Sequence, residues 1–272
     1  MHLDNVSAII VSAVSPPSSA GAGPAVLLLH GIGGRAASLS DRQEGLTAST
    51  TIARDAPGCG DSADPCHTDL GDPADAPVDR YAHAAVGPLH GLGHTRAHVV
   101  GVSCGGVIAT RTAMRHPGVV RSLTLADSTR GSGRTEVGRV GMQRRVEDLA
   151  CLGSRSFAAV RGPNLLGPDA APGMTERVVA TMAQVRLPGY RGAAEMMAAT
   201  DHSSDLQHLG VPTLVLVGEH DRVTGVLESR ALADDIPGAR FAVVPGGGHA
   251  VHQENPEGFN AELRTFLESV GA

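Results

Sequence analysis

Short apolar runs of strand length alternate along the chain with longer stretches of helical periodicity. The runs lack strict apolar–polar alternation, as expected for a parallel sheet that helices cover on both faces. The predicted strands are Ala25–His30, Thr50–Asp55, Ala97–Ser103, Val120–Asp127, Pro212–Gly218 and Ala239–Pro245, and the predicted helices are Val107–Arg115, Leu227–Asp235 and Pro256–Val270. This order predicts an α/β fold with a mostly parallel, doubly wound sheet. Gly87 and Pro88 predict that the helix before the third strand is short or kinked.

Residues 128–210 interrupt this order, because no run there has the pattern of a strand while the helical periodicity is good. Apolar residues that share one helical face in this region are Met174, Val178, Val179, Met182 and Val185. We predict a helical cap over the C-terminal edge of the strands, where open α/β sheets bind ligands. The cap then divides the core into residues 1–127 and 211–272.

Composition narrows the classes of partner and chemistry. The formal net charge of −6 argues against nucleic acid or an anionic membrane as the main partner. All 22 basic residues are arginines, and the absence of lysine excludes lysine Schiff-base chemistry and a Walker-type phosphate loop. The four cysteines form no CxxC pair, so we expect neither a metal site nor a disulfide framework.

The N-terminal region lacks the pattern of a signal peptide. The apolar run Ala8–Val14 has no Lys or Arg before it, and Asp4 lies where a signal peptide carries positive charge. No apolar segment approaches the roughly 20 residues that span a bilayer. We therefore expect a reduced, soluble, cytoplasmic protein, and leave open whether it forms a homodimer.

A serine between glycines lies where the third predicted strand meets a helix. In HVVGVSCGGVI, residues 98–108, Ser103 has Gly101 two positions before it and Gly105 two positions after it. Glycine and serine are common in ordinary tight turns. The same spacing is typical of a nucleophile elbow, a strained strand-to-helix turn that exposes a serine hydroxyl. The second interpretation requires a base, an orienting acid and an oxyanion hole elsewhere in the chain.

The acid is expected after the serine in the chain and before the histidine. Asp221 follows the apolar run that ends at Gly218, so its side chain can reach the ligand edge of the sheet. An aspartate in this position is also common as a turn residue. Asp127, which follows the fourth predicted strand, is the alternative position for the acid.

The base is predicted from its position, because the chain contains 13 histidines. His249 lies on a loop directly after the strand that follows the predicted acid, and the three glycines before it can bring the loop close to Ser103. His252 is the nearest rival, and His220 precedes the acid. We therefore predict His249 as the base.

An oxyanion hole needs two backbone N–H groups. One is predicted at Cys104, the residue after the nucleophile. The other is predicted at Ile32 in HGIGG, residues 30–34, where glycines let the backbone turn sharply after the first strand. Cys104 could instead be the nucleophile, but Val102 stands two positions before it, where the elbow needs a small residue.

Motifs along nearly the whole chain resemble those of the α/β-hydrolase superfamily. In order they are LLLHGIGG, DAPGCGDS, GVSCGG, SLTLADS, PTLVLVGEHD and PGGGHAVHQENPEGFNAELRTFL. The resemblance implies an α/β-hydrolase fold with the cap inserted after the sixth strand. Residues 187–221 most resemble the 3-oxoadipate enol-lactonase and carboxylesterase group. The site residues implied are Ser103 as nucleophile, Asp221 as acid, His249 as base, and Ile32 and Cys104 as oxyanion donors.

A serine at the elbow narrows the expected reaction. Attack on an alkyl centre would leave a stable ether, so we expect attack on a small-molecule ester or lactone, an acyl-enzyme, and hydrolysis by water that His249 activates. This chemistry requires no metal and no organic cofactor. Carbon–carbon bond hydrolysis and perhydrolysis use the same triad and remain alternatives, as does a non-catalytic ligand-binding protein of the same fold.

The predicted cap is rich in methionine and arginine. We predict that Met142, Met182 and Met197 bind substrate in a compliant, mostly apolar pocket, while packing inside the cap is the alternative. Arginines predicted to lie on a solvated face are Arg130, Arg134, Arg139, Arg144 and Arg145. If one of them points inward, it could pair with a substrate carboxylate.

Overall fold

The computed structural model describes residues 11–12, 23–39, 46, 49–64 and 75–271. In this part of the chain, seven strands form one sheet in the order β1-β3-β2-β4-β5-β6-β7. The pairs from β3 through β2 to β7 are parallel, and β1 pairs antiparallel with β3. The strands are β1 Val11–Ser12, β2 Ala25–Leu29, β3 Thr50–Arg54, β4 Ala97–Val102, β5 Val120–Ala126, β6 Thr213–Gly218 and β7 Arg240–Val244.

Helices flank the sheet. In chain order they are α1 Pro77–Gly91, α2 Cys104–Arg115, α3 Glu136–Arg161, α4 Met174–Met182, α5 Leu187–Ala199, α6 Gly225–Asp234, α7 Val251–Glu254 and α8 Pro256–Ser269. The helix before β4 is predicted from the sequence to be short or kinked; it is not short, because α1 has 15 residues, with Pro88 inside it. Pro88 lies in its last turn, where the missing N–H removes a single helical hydrogen bond. No helix of the described residues is long and apolar enough to cross a bilayer.

The six predicted strands are confirmed as the parallel part of the sheet, with ends that differ by at most one residue. The position of the cap needs a correction. Residues 128–210 follow β5, the fifth strand of the described residues, and not the sixth.

The sheet is buried on both faces, which explains the unbroken apolar runs. All five residues of β2 are buried. Leu27 and Leu29 pack into the cluster on the face of α1 and α2, whereas Val26 and Leu28 pack on the opposite face with Phe259 of α8. Successive strand residues point to opposite faces, so each face needs its own apolar set.

Helices α3, α4 and α5 lie between β5 and β6 in the chain and have an apolar cluster of their own. Its buried members include Phe157 of α3, Met182 of α4 and Tyr190 of α5. Ile32, from the loop after β2, packs against this cluster. The helices therefore contact the loops at the carboxyl ends of the parallel strands, the edge at which β4, β6 and β7 end.

Candidate active site

The turn from β4 into α2 holds Ser103 in a conformation that side-chain-bearing residues rarely adopt, with φ of 54°. Glycines make this turn sterically possible. A Cβ atom on Gly101 would overlap the Gly105 carbonyl, and one on Gly105 would overlap the Leu29 carbonyl. The Ser128 hydroxyl donates to the Ser103 carbonyl at 2.9 Å and supports the turn from β5. The glycine spacing thus follows from backbone contact at the crossing of β2, β4 and α2.

The structure brings the three predicted site residues into one hydrogen-bonded series. His249 Nε2 lies 3.0 Å from Ser103 Oγ, and His249 Nδ1 lies 3.0 Å from Asp221 Oδ2. The residues follow the carboxyl ends of β4, β6 and β7, which parallel pairing places at one edge of the sheet. With Nδ1–H donating to Asp221, Nε2 is free to accept the serine proton, as a general base requires.

The rival residues have other contacts or unsuitable chemistry, although His252 lines the same cavity as Ser103. His252 is buried and stacks edge-on against Phe259, while His220 is 3.9 Å from the carboxylate of Glu219. Cys104 is buried, and its burial raises the pKa of the thiol to about 12. A neutral thiol is a poor nucleophile, so the serine is the better candidate.

Asp221 is held in its ionised form. Burial would raise its pKa, but the hydrogen bond and charge of His249 and the hydroxyl of Thr224 outweigh burial and lower the pKa to about 2. The Val223 N–H adds a hydrogen bond of 2.7 Å to Oδ1. A carboxylate fixed in this way can orient the imidazole and stabilise the imidazolium.

Asp127, the alternative acid, lies behind Asp221. It is fully buried, and its Oδ1 accepts a 2.9 Å hydrogen bond from the Gly218 N–H. Burial, followed by the charge of Asp221, raises the pKa of Asp127 well above its ordinary value. Asp127 therefore holds its proton more tightly than Asp221 does. Of the two acids, only Asp221 has a hydrogen bond to His249.

Asp127, Asp221 and His249 place potential metal-ligand atoms within 4.8 Å of one another, all buried. Two of these groups are already joined, because Asp221 accepts from His249. A metal ion would need to displace that hydrogen bond and ionise Asp127 beside Asp221. The arrangement therefore suits a proton relay better than a cation.

The predicted oxyanion donors flank the serine. Gly31 packs so close to Ser103 that a Cβ atom on it would come 3.1 Å from the serine Cβ, which places the Ile32 loop beside the elbow. Neither the Ile32 N–H nor the Cys104 N–H has an acceptor among the described residues. Two free N–H groups next to a nucleophile can bind a developing negative charge.

Two residues that the sequence did not single out hold these loops. His30 spans the oxyanion loop, with Nδ1 at 2.8 Å from the Gly31 carbonyl and Nε2 accepting from the Ala56 N–H at 3.0 Å. Glu254 accepts hydrogen bonds from the N–H groups of Gly248 and Gly167 at 2.8 and 2.6 Å. It thereby joins the His249 loop to the segment between α3 and α4. The role of His30 could have been predicted, because His30 belongs to the HGIGG motif, whereas no sequence pattern predicted a role for Glu254.

A cavity opens above Ser103 and His249, between the strand ends and the cap helices. Met182 lines it together with Ile32, Leu165, Val178 and Tyr190. The predicted contribution of Met142 and Met197 needs a correction, since neither lines this cavity. Both are buried in the apolar cluster that α3 and α5 share with α2. A methionine stripe marks an apolar helix face, and it does not distinguish a face that packs on the core from one that faces a ligand.

The cavity also has a basic side, formed by Arg145 and Arg161 of α3. Arg145 is one of the five cap arginines that the sequence placed on a solvated face, and that expectation is wrong for it. Arg161, at the carboxyl end of α3, was not among the arginines predicted to face solvent or substrate. Because a break at Gly153, with φ of 71°, interrupts α3 between these arginines, helical periodicity could not relate them.

Comparisons with known proteins agree with this geometry. The sequence profile of the alpha/beta hydrolase family matches residues 26–262, and the chain belongs to this family. The resemblance to α/β hydrolases and the predicted fold are thereby confirmed.

Individual relatives cover nearly the same length. A protein from Azorhizobium caulinodans, RutD, named as a proposed carbamate hydrolase, is 31% identical over 264 residues, which are 92% of this chain and 93% of that protein. The 3-oxoadipate enol-lactonase 2 of Acinetobacter baylyi is 23% identical over 192 residues, 70% of this chain and 71% of that enzyme. A thermophilic esterase from Thermogutta terrifontis, solved with malate bound, superposes with a TM-score of 0.81 at 26% identity and covers 93% of this chain and 92% of its own.

Proposed function

We propose that the protein is a serine hydrolase that cleaves a small-molecule carboxylic ester or lactone through an acyl-enzyme. The observation that carries this proposal is the series Ser103–His249–Asp221, with 3.0 Å between each reacting pair of atoms. Relatives whose names describe an enol-lactonase and an esterase support the same reaction class.

The reaction follows from the positions of these groups. His249 takes the proton of Ser103 as its Oγ attacks the substrate carbonyl, and the N–H groups of Ile32 and Cys104 stabilise the oxyanion. Collapse of the tetrahedral intermediate expels the alkoxide, which receives its proton from His249. Water then attacks the acyl-serine with His249 again as base, and releases the acid and the free serine.

The serine determines which bonds can be cleaved. An alkyl group transferred to Ser103 would form an ether that the same machinery cannot hydrolyse, whereas an acyl group forms an ester that it can. A carbamate also offers an acyl carbon, and the 31% identical relative named as a proposed carbamate hydrolase favours it as a second candidate. Carbon–carbon cleavage and perhydrolysis remain outcomes of the test.

The proposal is tested with a substrate panel and a covalent probe. We expect hydrolysis of p-nitrophenyl esters and small lactones, loss of that activity after treatment with a serine-directed phosphonate, and a single mass adduct on the peptide that contains Ser103. Ethyl carbamate in the same panel distinguishes the second candidate. Absence of both turnover and labelling would show that the fold serves ligand binding alone.

A further inference from the structure

Two arginines line the candidate active-site cavity without an acidic partner. Neither Arg145 nor Arg161 forms an ion pair with any carboxylate in the described part of the chain. The only side-chain acceptors that Arg145 contacts there are the Tyr190 hydroxyl and the Met142 sulfur, the latter at 3.9 Å. Arg161 lies over the ring of Phe157, 5.5 Å from its centre, and its Nε is buried with no acceptor among the described residues.

Two other arginines line an adjoining cavity that shares Ile32 and Tyr190 with this one, and both have acidic partners. Arg35 lies 3.7 Å from the carboxylate of Asp61, and Arg186 lies 2.8 Å from that of Asp64. Among the described residues, acids therefore pair with the arginines of the adjoining cavity and not with the two arginines on α3. An unpaired charge away from water is unfavourable, and two of them in one cavity repel each other.

The charges of the two groups influence each other. Burial lowers the pKa of Arg145, and the positive charge of Arg161 lowers it further. Both guanidinium groups stay protonated, because arginine does not lose its proton in proteins. A negative group placed between them would relieve the repulsion and satisfy the buried Arg161 Nε.

We propose that Arg145 and Arg161 bind a carboxylate carried by the substrate, so that the enzyme acts on esters or lactones of dicarboxylic acids. Guanidinium groups bind carboxylates through paired, charge-assisted hydrogen bonds. The Tyr190 hydroxyl, which Arg145 contacts, is a third polar group on the same side. The apolar residues Met182 and Val178 line the remaining cavity and suit the methylene chain between the two ends of such a substrate.

The inference rests on the proposed function, and matched substrates test it. Mono-p-nitrophenyl glutarate and its methyl ester differ at the far end mainly in charge. We expect the wild-type enzyme to prefer the carboxylate by more than about tenfold in kcat/KM, or roughly 1.4 kcal/mol. Succinate and adipate analogues then measure the distance between Ser103 and the arginines.

Arginine variants identify the site. Arg145→Met and Arg161→Met should each remove most of the preference, mainly by raising KM for the carboxylate ester, because this contact forms before the chemical step. Arg144→Met is the matched control, since Arg144 is exposed on the same helix and does not line the cavity. An equal loss in the control, or a wild-type preference for the neutral ester, would overturn the proposal.

A binding measurement separates this inference from the proposed reaction. Glutarate should bind to Ser103→Ala by titration calorimetry, and Arg145→Met or Arg161→Met in that background should weaken binding at least about tenfold. If wild type hydrolyses neither ester while glutarate binds through the arginines, the reaction is wrong and the carboxylate site stands. If both esters are hydrolysed equally and glutarate does not bind, the reaction stands and the carboxylate site is wrong.

Discussion

The cavity has two walls that differ in how their polar groups are satisfied. On the sheet wall, Asp221 accepts hydrogen bonds from His249, Val223 and Thr224, and the second nitrogen of His249 faces Ser103. On the cap wall, Arg145 and Arg161 project from α3, and neither forms an ion pair with a carboxylate of the described residues. The sheet wall is complete in the free protein, whereas the cap wall has an excess of positive charge.

This difference indicates that the sheet wall carries out the reaction and that the cap wall selects the substrate. A proton relay must be aligned before substrate arrives, because misplacement by about 1 Å can lower the rate roughly 100-fold. A binding wall can leave its charges to be neutralised by the ligand, and an incomplete wall then discriminates against ligands that lack the charge. We therefore expect changes on the sheet wall to lower kcat and changes on the cap wall to alter substrate preference.

The cap itself offers a second comparison. Arg130, at its base, is bound by two acids, with Glu228 at 2.8 Å and Asp235 at 2.9 Å. Both acids belong to the region of α6, so this arginine ties the start of the cap to the core. Arg145 has no such partner. The same residue type thus serves attachment at one place and faces the ligand cavity at another.

The largest expected effect is on the sheet wall, in Ser103→Ala. We expect a loss of kcat of about 10⁴-fold or more, because no other described hydroxyl lies within hydrogen-bond distance of His249. The measurement is steady-state hydrolysis of a p-nitrophenyl ester, with circular dichroism to verify the fold. Ser204→Ala, an exposed serine outside the cavity, is the control. Retention of more than a tenth of wild-type kcat would exclude Ser103 as the nucleophile.

The next effect distinguishes the two neighbouring acids. Asp221→Asn should lower kcat by about 10³- to 10⁴-fold, because an amide cannot hold the imidazole tautomer or stabilise the imidazolium. Asp127→Asn should change kcat less than about tenfold, since an amide keeps the acceptor for the Gly218 N–H and the hydrogen bond to His249 comes from Asp221. Steady-state kinetics of both variants at one pH checks this. The opposite order of effects would assign the acid to the end of β5.

Most of the sheet wall could be predicted from the sequence. Each of its groups lies one to five residues beyond a short strand, so placing the strand also places the residue. Ser103, Asp221 and His249 follow β4, β6 and β7 in this way. Parallel pairing then brings residues distant in the chain to one edge. Glu254 escaped the same reasoning because its acceptor role depends on two loops that meet only in the folded chain.

The cap wall could not be predicted, because helix periodicity identifies an apolar face without naming its partner. Met142 and Met197 share that property with Met182, yet only Met182 lines the cavity. Arg145 lies three residues after Met142 and would be assigned to a solvated face on composition alone. The bend at Gly153 brings Arg161 to the same cavity, and its φ of 71° has no clear signature in the sequence.

A smaller effect tests the difference between the paired and unpaired arginines. Arg130→Met should destabilise the protein by about 1–3 kcal/mol, because Glu228 and Asp235 each lose an ion-pair partner in a partly buried setting, and Glu228 keeps only the longer contact with Arg134. Arg145→Met should leave the melting temperature unchanged or raise it, since it removes an unpaired charge. Differential scanning calorimetry at neutral pH without ligand checks both. A larger destabilisation by Arg145→Met would mean that Arg145 has a structural partner.

The smallest expected effect is the pH dependence of stability that Asp127 adds to the sheet wall. Its pKa is raised in the folded protein by burial and by the charge of Asp221. The folded state therefore holds this proton more tightly than the unfolded state, whose aspartates titrate near pH 3.8. The stabilisation is fully present below that pH and is lost as the pH rises toward the folded pKa.

Asp127→Asn removes this dependence, because an amide does not titrate. Asparagine also tolerates the φ of 45° at this position better than most residues. The melting temperature of the variant relative to wild type should therefore increase as the pH rises from about 4.5 toward the folded pKa of Asp127, by a few degrees at most. Asp221 has the opposite sign, since its lowered pKa gives stability that is lost only as pH falls toward about 2. Its contribution is thus nearly constant over the measured range in both proteins. A difference between variant and wild type that stays flat or shrinks as pH rises would show that Asp127 is ionised beside Asp221.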